Sequence, residues 1–103
     1  MIKVLVSGAC GKMGKEVLKA VLACEETELV GAVDVTNIGK NLGEVIGSGE
    51  SNVFITGDLS QTIIETKPDV MIDFTNPLAG YANAKKAIDH NINCVIGTTG
   101  FTS

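Results

Sequence analysis

The sequence is poor in the residues on which several common functions depend. Phe, Trp and Tyr make up 4% of its 103 residues, and the sequence has one histidine, His90. So few aromatic side chains offer little platform for stacking nucleic-acid bases. One histidine at a predicted helix end supplies neither a Ser-His-Asp arrangement nor a metal cluster. We therefore assign no catalytic residue and expect no metal site.

Excess basic charge, long apolar runs and paired cysteines are missing as well. Lys and Arg together number 8 against 12 Asp and Glu, a formal net charge of −4, whereas nucleic-acid binding requires a basic face. No run reaches the roughly 18 apolar residues of a membrane span, and the first residues lack the organisation of a signal peptide. Cys10, Cys24 and Cys94 are odd in number and far apart, as is typical of free thiols in a reducing compartment. We expect a cytoplasmic protein without nucleic-acid or membrane partners.

The composition that is present belongs to a packed globular chain. Hydrophobic residues make up 45% and charged residues 19%, which separates it from disordered sequences. Its length predicts one domain over residues 1–103, large enough to bury a core without disulfide bonds. Glycine is frequent, with 12 residues.

Short apolar runs alternate with segments of helical periodicity. The runs predict strands at residues 2–6, 29–35, 53–55, 69–74 and 93–96. Helices are predicted at 12–24, from an N-cap at Ser60 to a stop at Pro68, and from Asn76-Pro77 to about His90. One short helical turn is expected around residues 42–46. The predicted core-facing helical residues are Met13, Val17, Leu18, Val21, Leu22, Ile63, Ile64, Leu78, Ala82 and Ile88.

This alternation predicts an α/β fold. Apolar strands separated by helices form parallel sheets covered on both faces, a three-layer αβα arrangement. The order of elements fits a Rossmann-like, doubly wound sheet with strand order 3-2-1-4-5.

A glycine-rich loop joins the first predicted strand to the first helix. It reads Gly8-Ala9-Cys10-Gly11-Lys12-Met13-Gly14, spaced G-x-x-G-x-x-G and not the commoner G-x-G-x-x-G. The first glycine permits a tight turn, the second a close approach of a pyrophosphate, and the third close helix packing. Backbone amides at the helix N terminus then face the anion. The loop predicts a dinucleotide site.

An acidic residue, Asp34, follows the second predicted strand, about 20 residues beyond the loop, where a carboxylate accepts hydrogen bonds from the adenosine ribose. The alternative is a solvated carboxylate at a strand end. A carboxylate here repels a 2′-phosphate and so favours NADH over NADPH, although Lys12 partly offsets that repulsion. Lys12 is otherwise an exposed lysine that opposes the helix dipole.

Two further loops fall at the same edge of the predicted sheet. Asp73-Phe74-Thr75 follows the fourth strand and Gly97-Thr98-Thr99-Gly100 follows the fifth. Ligands of such sheets bind outside the carboxyl ends of the strands. The small residues and hydroxyls of the second loop suit contact with a nicotinamide ring or ribose, but they suit an ordinary turn equally well.

Three motifs together resemble the N-terminal, dinucleotide-binding domain of the 4-hydroxy-tetrahydrodipicolinate reductase (dihydrodipicolinate reductase) family. They are the glycine loop, Ile72-Asp73-Phe74-Thr75 followed by Asn-Pro, and Val95-Ile96-Gly97-Thr98-Thr99-Gly100-Phe101. The resemblance implies reduction of dehydrated 4-hydroxy-tetrahydrodipicolinate by NADH or NADPH in lysine and diaminopimelate synthesis. The pyrophosphate contacts that it implies are Gly8, Ala9, Cys10, Gly11, Lys12 and Met13, and the ribose contact is Asp34. Gly97, Thr98 and Thr99 are implied on the nicotinamide side, and Phe74 and Thr75 are further expected cofactor-binding residues. Family members that use NADPH well often carry Arg after the acidic residue, where this chain has Val35, so NADH is expected to be preferred and NADPH possible.

The family's second domain has no counterpart in this sequence. In the family it carries paired histidines, a lysine proposed as proton donor and a Ser-Gly-Thr loop that grips the substrate. We therefore expect cofactor binding without efficient turnover, substrate binding only with that domain, and self-association through the fifth strand or through the uncovered surface beneath it. A non-catalytic module that senses NAD(H) or coenzyme A, or the N-terminal domain of another dehydrogenase, remains an alternative.

Overall fold

The predicted strands form one parallel sheet. A computed structural model of the chain describes residues 2–47, 51–74, 85, 89 and 92–96. The strands are β1 (Ile2–Ser7), β2 (Thr27–Val33), β3 (Ile55–Thr56), β4 (Val70–Asp73) and β5 (Asn93–Ile96). They pair in the order β3-β2-β1-β4-β5, and each of the four pairings is parallel. The predicted Rossmann-like fold and strand order are confirmed.

The two faces of the sheet hold separate cores. Helix α1 (Lys12–Ala23) and the short α2 (Leu42–Ile46) cover one face, and α3 (Leu59–Thr66) covers the other. Successive side chains of a strand point to opposite faces: Val4 and Val6 of β1 join the α1 core, whereas Leu5 joins the α3 core. This is the expected three-layer arrangement.

Strand boundaries differ from the prediction mainly at β2 and β3. We predicted β2 at 29–35, but it begins at Thr27 and ends at Val33, and Val35 is 87% exposed. Its polar first residues pair with the start of β1, since backbone pairing does not depend on apolar side chains. Strand β3, predicted at 53–55, lies at Ile55–Thr56. Strand β5 has the predicted bounds.

The buried face of α1 is narrower than predicted. Gly14, Leu18 and Val21 are buried, whereas Met13 and Leu22 are 53% and 48% exposed. The prediction of those two as core residues is wrong. The buried stripe follows i, i+4, i+7 from a glycine, which apolar periodicity alone does not register.

Helix α3 begins at a different cap. The carboxylate of Asp58 accepts the N–H of Gln61 at 3.0 Å, so Asp58 is the N-cap and the prediction of Ser60 is wrong. Ile63 is buried, but Ile64, predicted beside it, is 54% exposed. The helix ends before Lys67, whose φ is 47°, and Pro68 follows, as predicted for its C terminus.

The short turn predicted at residues 42–46 is confirmed as α2, capped by the Asn41 side chain. The helix predicted from Asn76 to His90 lies outside the described residues apart from Lys85 and Asp89, which are helical and exposed. Among the helices that the structure describes, none is long and apolar enough to span a membrane.

Candidate dinucleotide-binding site

The glycine loop turns sharply at the carboxyl end of β1. Gly8 has φ 78°, a conformation that residues with a Cβ rarely adopt. Its N–H and that of Ala9 donate to the carbonyl oxygen of Val33, at 2.8 and 3.1 Å. The loop is thereby tied to the end of β2, on the side where Asp34 follows.

The two later glycines of the motif differ in what surrounds them. A Cβ at Gly14 would overlap the carbonyl oxygen of Gly8 and lie 2.9 Å from that of Ala9, so only glycine lets α1 pack this closely. Gly11, with φ −73°, would bring a Cβ no closer than 3.5 Å to another described atom. The fold requires a glycine at position 14 and tolerates a side chain at position 11.

The backbone amides of the glycine loop and those of the first turn of α1 differ in whether they have a hydrogen-bond acceptor. Those of Gly8, Ala9, Cys10 and Gly11 donate within the protein. Within the described part of the chain, no acceptor faces the amides of the first helical turn, 12–14, and no side chain caps α1. Uncapped amides at the positive end of a helix dipole are the kind of donors that bind anions in many proteins.

Asp34 is bound to the loop that it was predicted to complement. Its Oδ2 accepts the N–H of Cys10 at 2.8 Å, and its Oδ1 accepts both the N–H and the hydroxyl of Thr36, at 3.1 and 3.2 Å. Its own N–H donates to Thr56 at 3.0 Å, which fixes the backbone just beyond β2. The structure thus brings Asp34 and the glycine loop together.

Thr36 is a site residue that sequence reasoning missed. Part of the signal was present, because an aspartate side chain commonly accepts the backbone N–H two residues on, but that pattern does not point to the Thr36 hydroxyl. The contact to Cys10 had no such signal, since it joins residues 24 positions apart.

Three other loop residues that were predicted to bind cofactor are Cys10, Lys12 and Met13. Cys10 is half-buried, with Sγ 3.6 Å from the Thr36 carbonyl oxygen. Lys12 and Met13 are exposed, and Lys12 makes no ion pair with any described residue. Because they are exposed, both side chains can change conformation to contact a bound ligand.

On the other side of β1, β4 ends beside the loop. Phe74 is half-buried, and its N–H donates to the Ser7 carbonyl oxygen at 2.9 Å. Asp73 is fully buried, and its Cα is in register with both Ser7 and Ile96. Burial, and then the charge of Asp73, raise the pKa of the Cys94 thiol. The predicted site residues Thr75, Gly97, Thr98 and Thr99 lie outside the described residues.

The arrangement defines a class of protein. A parallel 3-2-1-4-5 sheet, a glycine-rich turn into an uncapped helix and an acidic residue after β2 make a Rossmann-like domain of the dinucleotide-binding kind. Among the residues described, no group of three His, Cys, Asp or Glu side chains is arranged to hold a metal ion.

Comparison with known protein families identifies the family to which this domain belongs. The sequence model of the family "Dihydrodipicolinate reductase, N-terminus" matches residues 2–103, and the chain belongs to that family. The chain is similar to the 4-hydroxy-tetrahydrodipicolinate reductase of Syntrophomonas wolfei, with 45% identity over 98 residues. That match covers 95% of this chain and 37% of the relative.

Solved structures agree on the fold. The dipicolinate-bound dihydrodipicolinate reductase of Paenisporosarcina sp. TG-14 superposes with a TM-score of 0.80 at 38% identity, over 100% of this chain and 39% of that one. A repressor called RSP, in complex with β-NAD⁺ and operator DNA, superposes with a TM-score of 0.70 at 14% identity, over 99% of this chain and 52% of that one. The second likeness shows the fold alone. This chain spans less than two fifths of the length of the two reductases.

Proposed function

We propose that the chain is the NADH-binding domain of a cytoplasmic 4-hydroxy-tetrahydrodipicolinate reductase, which reduces dehydrated 4-hydroxy-tetrahydrodipicolinate in lysine and diaminopimelate synthesis. One observation carries the proposal: the uncapped first turn of α1 lies beside a carboxylate, Asp34, that is hydrogen-bonded to the same loop. The reaction in this proposal is inferred from membership of the dihydrodipicolinate reductase family.

The residues present fit a dinucleotide. Because the amides of the loop itself donate internally, the pyrophosphate falls to the amides of Lys12, Met13 and Gly14. The bare Cα of Gly11 leaves room for its oxygens. The predicted pyrophosphate contacts, Gly8 to Met13, thus divide into residues that shape the loop and residues that donate to the anion.

Cofactor preference follows from charge beside the ribose. The Asp34 carboxylate accepts hydroxyl groups and repels a 2′-phosphate. Val35 follows it, and the chain contains no arginine to bind a phosphate with two parallel hydrogen bonds. Lys12 is the cation that the loop carries. We infer that NADH binds at least as tightly as NADPH.

The chain's own part in the reaction is to bind and orient. When bound, the dihydronicotinamide supplies the hydride. A domain that holds the hydride donor but not its acceptor lacks the proximity on which turnover depends. The 103-residue chain is therefore expected to bind cofactor with little reductase activity of its own.

A titration tests the proposal. The purified chain is titrated with NADH, NADPH and coenzyme A, with nicotinamide fluorescence as the direct readout and competition against NADH for coenzyme A. We expect saturable NADH binding, NADPH binding no tighter, and little competition by coenzyme A.

A matched variant makes the titration specific to the loop. Gly11→Ala is expected to weaken NADH binding about tenfold, because a Cβ there blocks the close approach of the pyrophosphate. Glu65→Ala, at an exposed position of α3 on the opposite face of the sheet, should leave NADH affinity unchanged. An absence of NADH binding at millimolar concentration would overturn the proposal. Tighter binding of coenzyme A than of NADH would favour the sensing module over the reductase.

A further inference from the structure

Thr36 makes two hydrogen bonds to one oxygen of Asp34. Its backbone N–H lies 3.1 Å and its hydroxyl 3.2 Å from Oδ1, while Oδ2 accepts the N–H of Cys10 at 2.8 Å. Asp34 is half-buried and Thr36 is exposed. The only side chain among these three donors is therefore solvent-accessible and replaceable without disturbing the core.

The three donors hold the carboxylate in one orientation. A carboxylate offers about four lone-pair positions on its two oxygens, and this protein occupies three of them. The two backbone donors survive any substitution at position 36, but without the hydroxyl Oδ1 is held only by an N–H from its own turn. The Thr36 hydroxyl therefore restricts the rotation of the Asp34 carboxylate on its solvent-exposed side when no ligand is bound.

We propose that Thr36 is a positioning residue that acts through Asp34 to favour a free adenosine ribose over a 2′-phosphorylated one. The inference rests on the proposed function and adds a residue that sets its cofactor preference. A carboxylate held before binding loses less conformational freedom when it accepts a ribose hydroxyl. The same restraint prevents it from turning away from a 2′-phosphate, so the repulsion is retained.

The test compares substitutions that differ by one hydroxyl. Dissociation constants for NADH and NADPH are measured for the wild type, Thr36→Val and Thr36→Ser. Thr36→Val keeps the shape of the side chain and removes the hydrogen bond, and is expected to weaken NADH about fivefold, the worth of one hydrogen bond. NADPH affinity stays within about twofold on the same scale, so the NADH-to-NADPH ratio of dissociation constants rises. Thr36→Ser restores the wild-type ratio.

A double-mutant cycle asks whether Thr36 acts through Asp34. In an Asp34→Ala background, Thr36→Val should no longer change NADH affinity, since the hydroxyl has lost its acceptor. A matched control is Thr66→Val on α3, whose hydroxyl donates to the Thr62 carbonyl oxygen at 2.7 Å, and which should leave both affinities unchanged. Thr36→Ala serves as a second truncation.

The outcomes separate the two proposals. If the wild type does not bind NADH, the proposed function fails. If the wild type binds but Thr36→Val and Thr36→Ala leave the NADH-to-NADPH ratio unchanged, Thr36 has no positioning role. A full effect of Thr36→Val in the Asp34→Ala background also overturns the inference, because the hydroxyl would then act by another route.

Discussion

At the scale of single residues, the glycines of one motif do different work. Gly8 takes a left-handed φ of 78° and Gly14 leaves no room for a Cβ against backbone oxygens. Gly11 meets neither condition, since its φ is −73° and its surroundings are open. Two of the glycines therefore serve the fold, and the third serves a ligand in the proposed function.

Replacing Gly14 and Gly11 by alanine should separate stability from binding. Gly14→Ala forces α1 away from the loop and should lower the free energy of unfolding by about 1–3 kcal/mol, as overpacking does. Gly11→Ala should change it by less than about 0.5 kcal/mol, as expected for an open surface site, yet weaken NADH. Urea unfolding followed by circular dichroism measures the first effect and fluorescence titration the second. Equal stability of the two variants would contradict this division.

In the proposed function, Asp34 both accepts from the ribose and holds the glycine loop through the Cys10 N–H, so substitution by alanine affects both roles. Asp34→Ala removes the ribose acceptor and also frees the Cys10 N–H, so it should weaken NADH more than NADPH while costing both some affinity through the loop. Equal losses for the two cofactors would mean that Asp34 does not read the ribose. The comparison therefore uses the ratio of affinities and not either affinity alone.

At the scale of elements, the start of α3 shows how a cap is chosen. The observed cap, Asp58, lies two positions before the predicted one, Ser60. Asp58 is the one whose carboxylate reaches a first-turn amide, while the hydroxyl of Thr62 donates back to its carbonyl oxygen at 2.7 Å. The helix consequently begins at Leu59, which is buried.

The cap can be tested by two alanine substitutions. Asp58→Ala should cost about 1 kcal/mol of stability because it leaves the Gln61 N–H without its acceptor. Ser60→Ala, inside the first turn, should cost less than about 0.5 kcal/mol. Chemical denaturation of both variants gives the comparison, and a larger loss for Ser60→Ala would reverse the assignment.

At the scale of the whole molecule, β5 is the outermost strand of the described sheet. Val95 is in register with Ile72, on the α1 face of the sheet. Ile72 is half-buried, whereas Val95 is 55% exposed. An apolar strand at a sheet edge favours pairing with another chain, which is the basis of the expected self-association of the 103-residue chain.

Self-association should depend on Val95. Light scattering coupled to size-exclusion chromatography is expected to give a mass above the monomer's 10.7 kDa that falls on dilution. Val95→Lys should shift the chain to monomer, whereas Ile64→Lys, at a similarly exposed apolar position on α3, should not. A monomer at all concentrations, or equal effects of the two lysines, would count against an interface at β5.

Much of the fold and half of the site follow from the sequence alone. Apolar runs and glycine spacing predict the strand order, the loop between β1 and α1, and the position of Asp34, because each is a local pattern or a topological rule. They do not give the end of β2 or the exposed side of α1, where pairing with β1 and packing against Gly8 decide the outcome.

The family, the parallel sheet and the set of residues at one edge of it can all be predicted from the order of residues along the chain. The contacts among those residues depend on how the elements pack. The Asp34 carboxylate accepts from the Cys10 amide and the Thr36 hydroxyl, and among the described residues no acceptor faces the first-turn amides of α1. The physical reason is that periodicity records which face of an element is buried, whereas a hydrogen bond between distant residues depends on how separate elements pack.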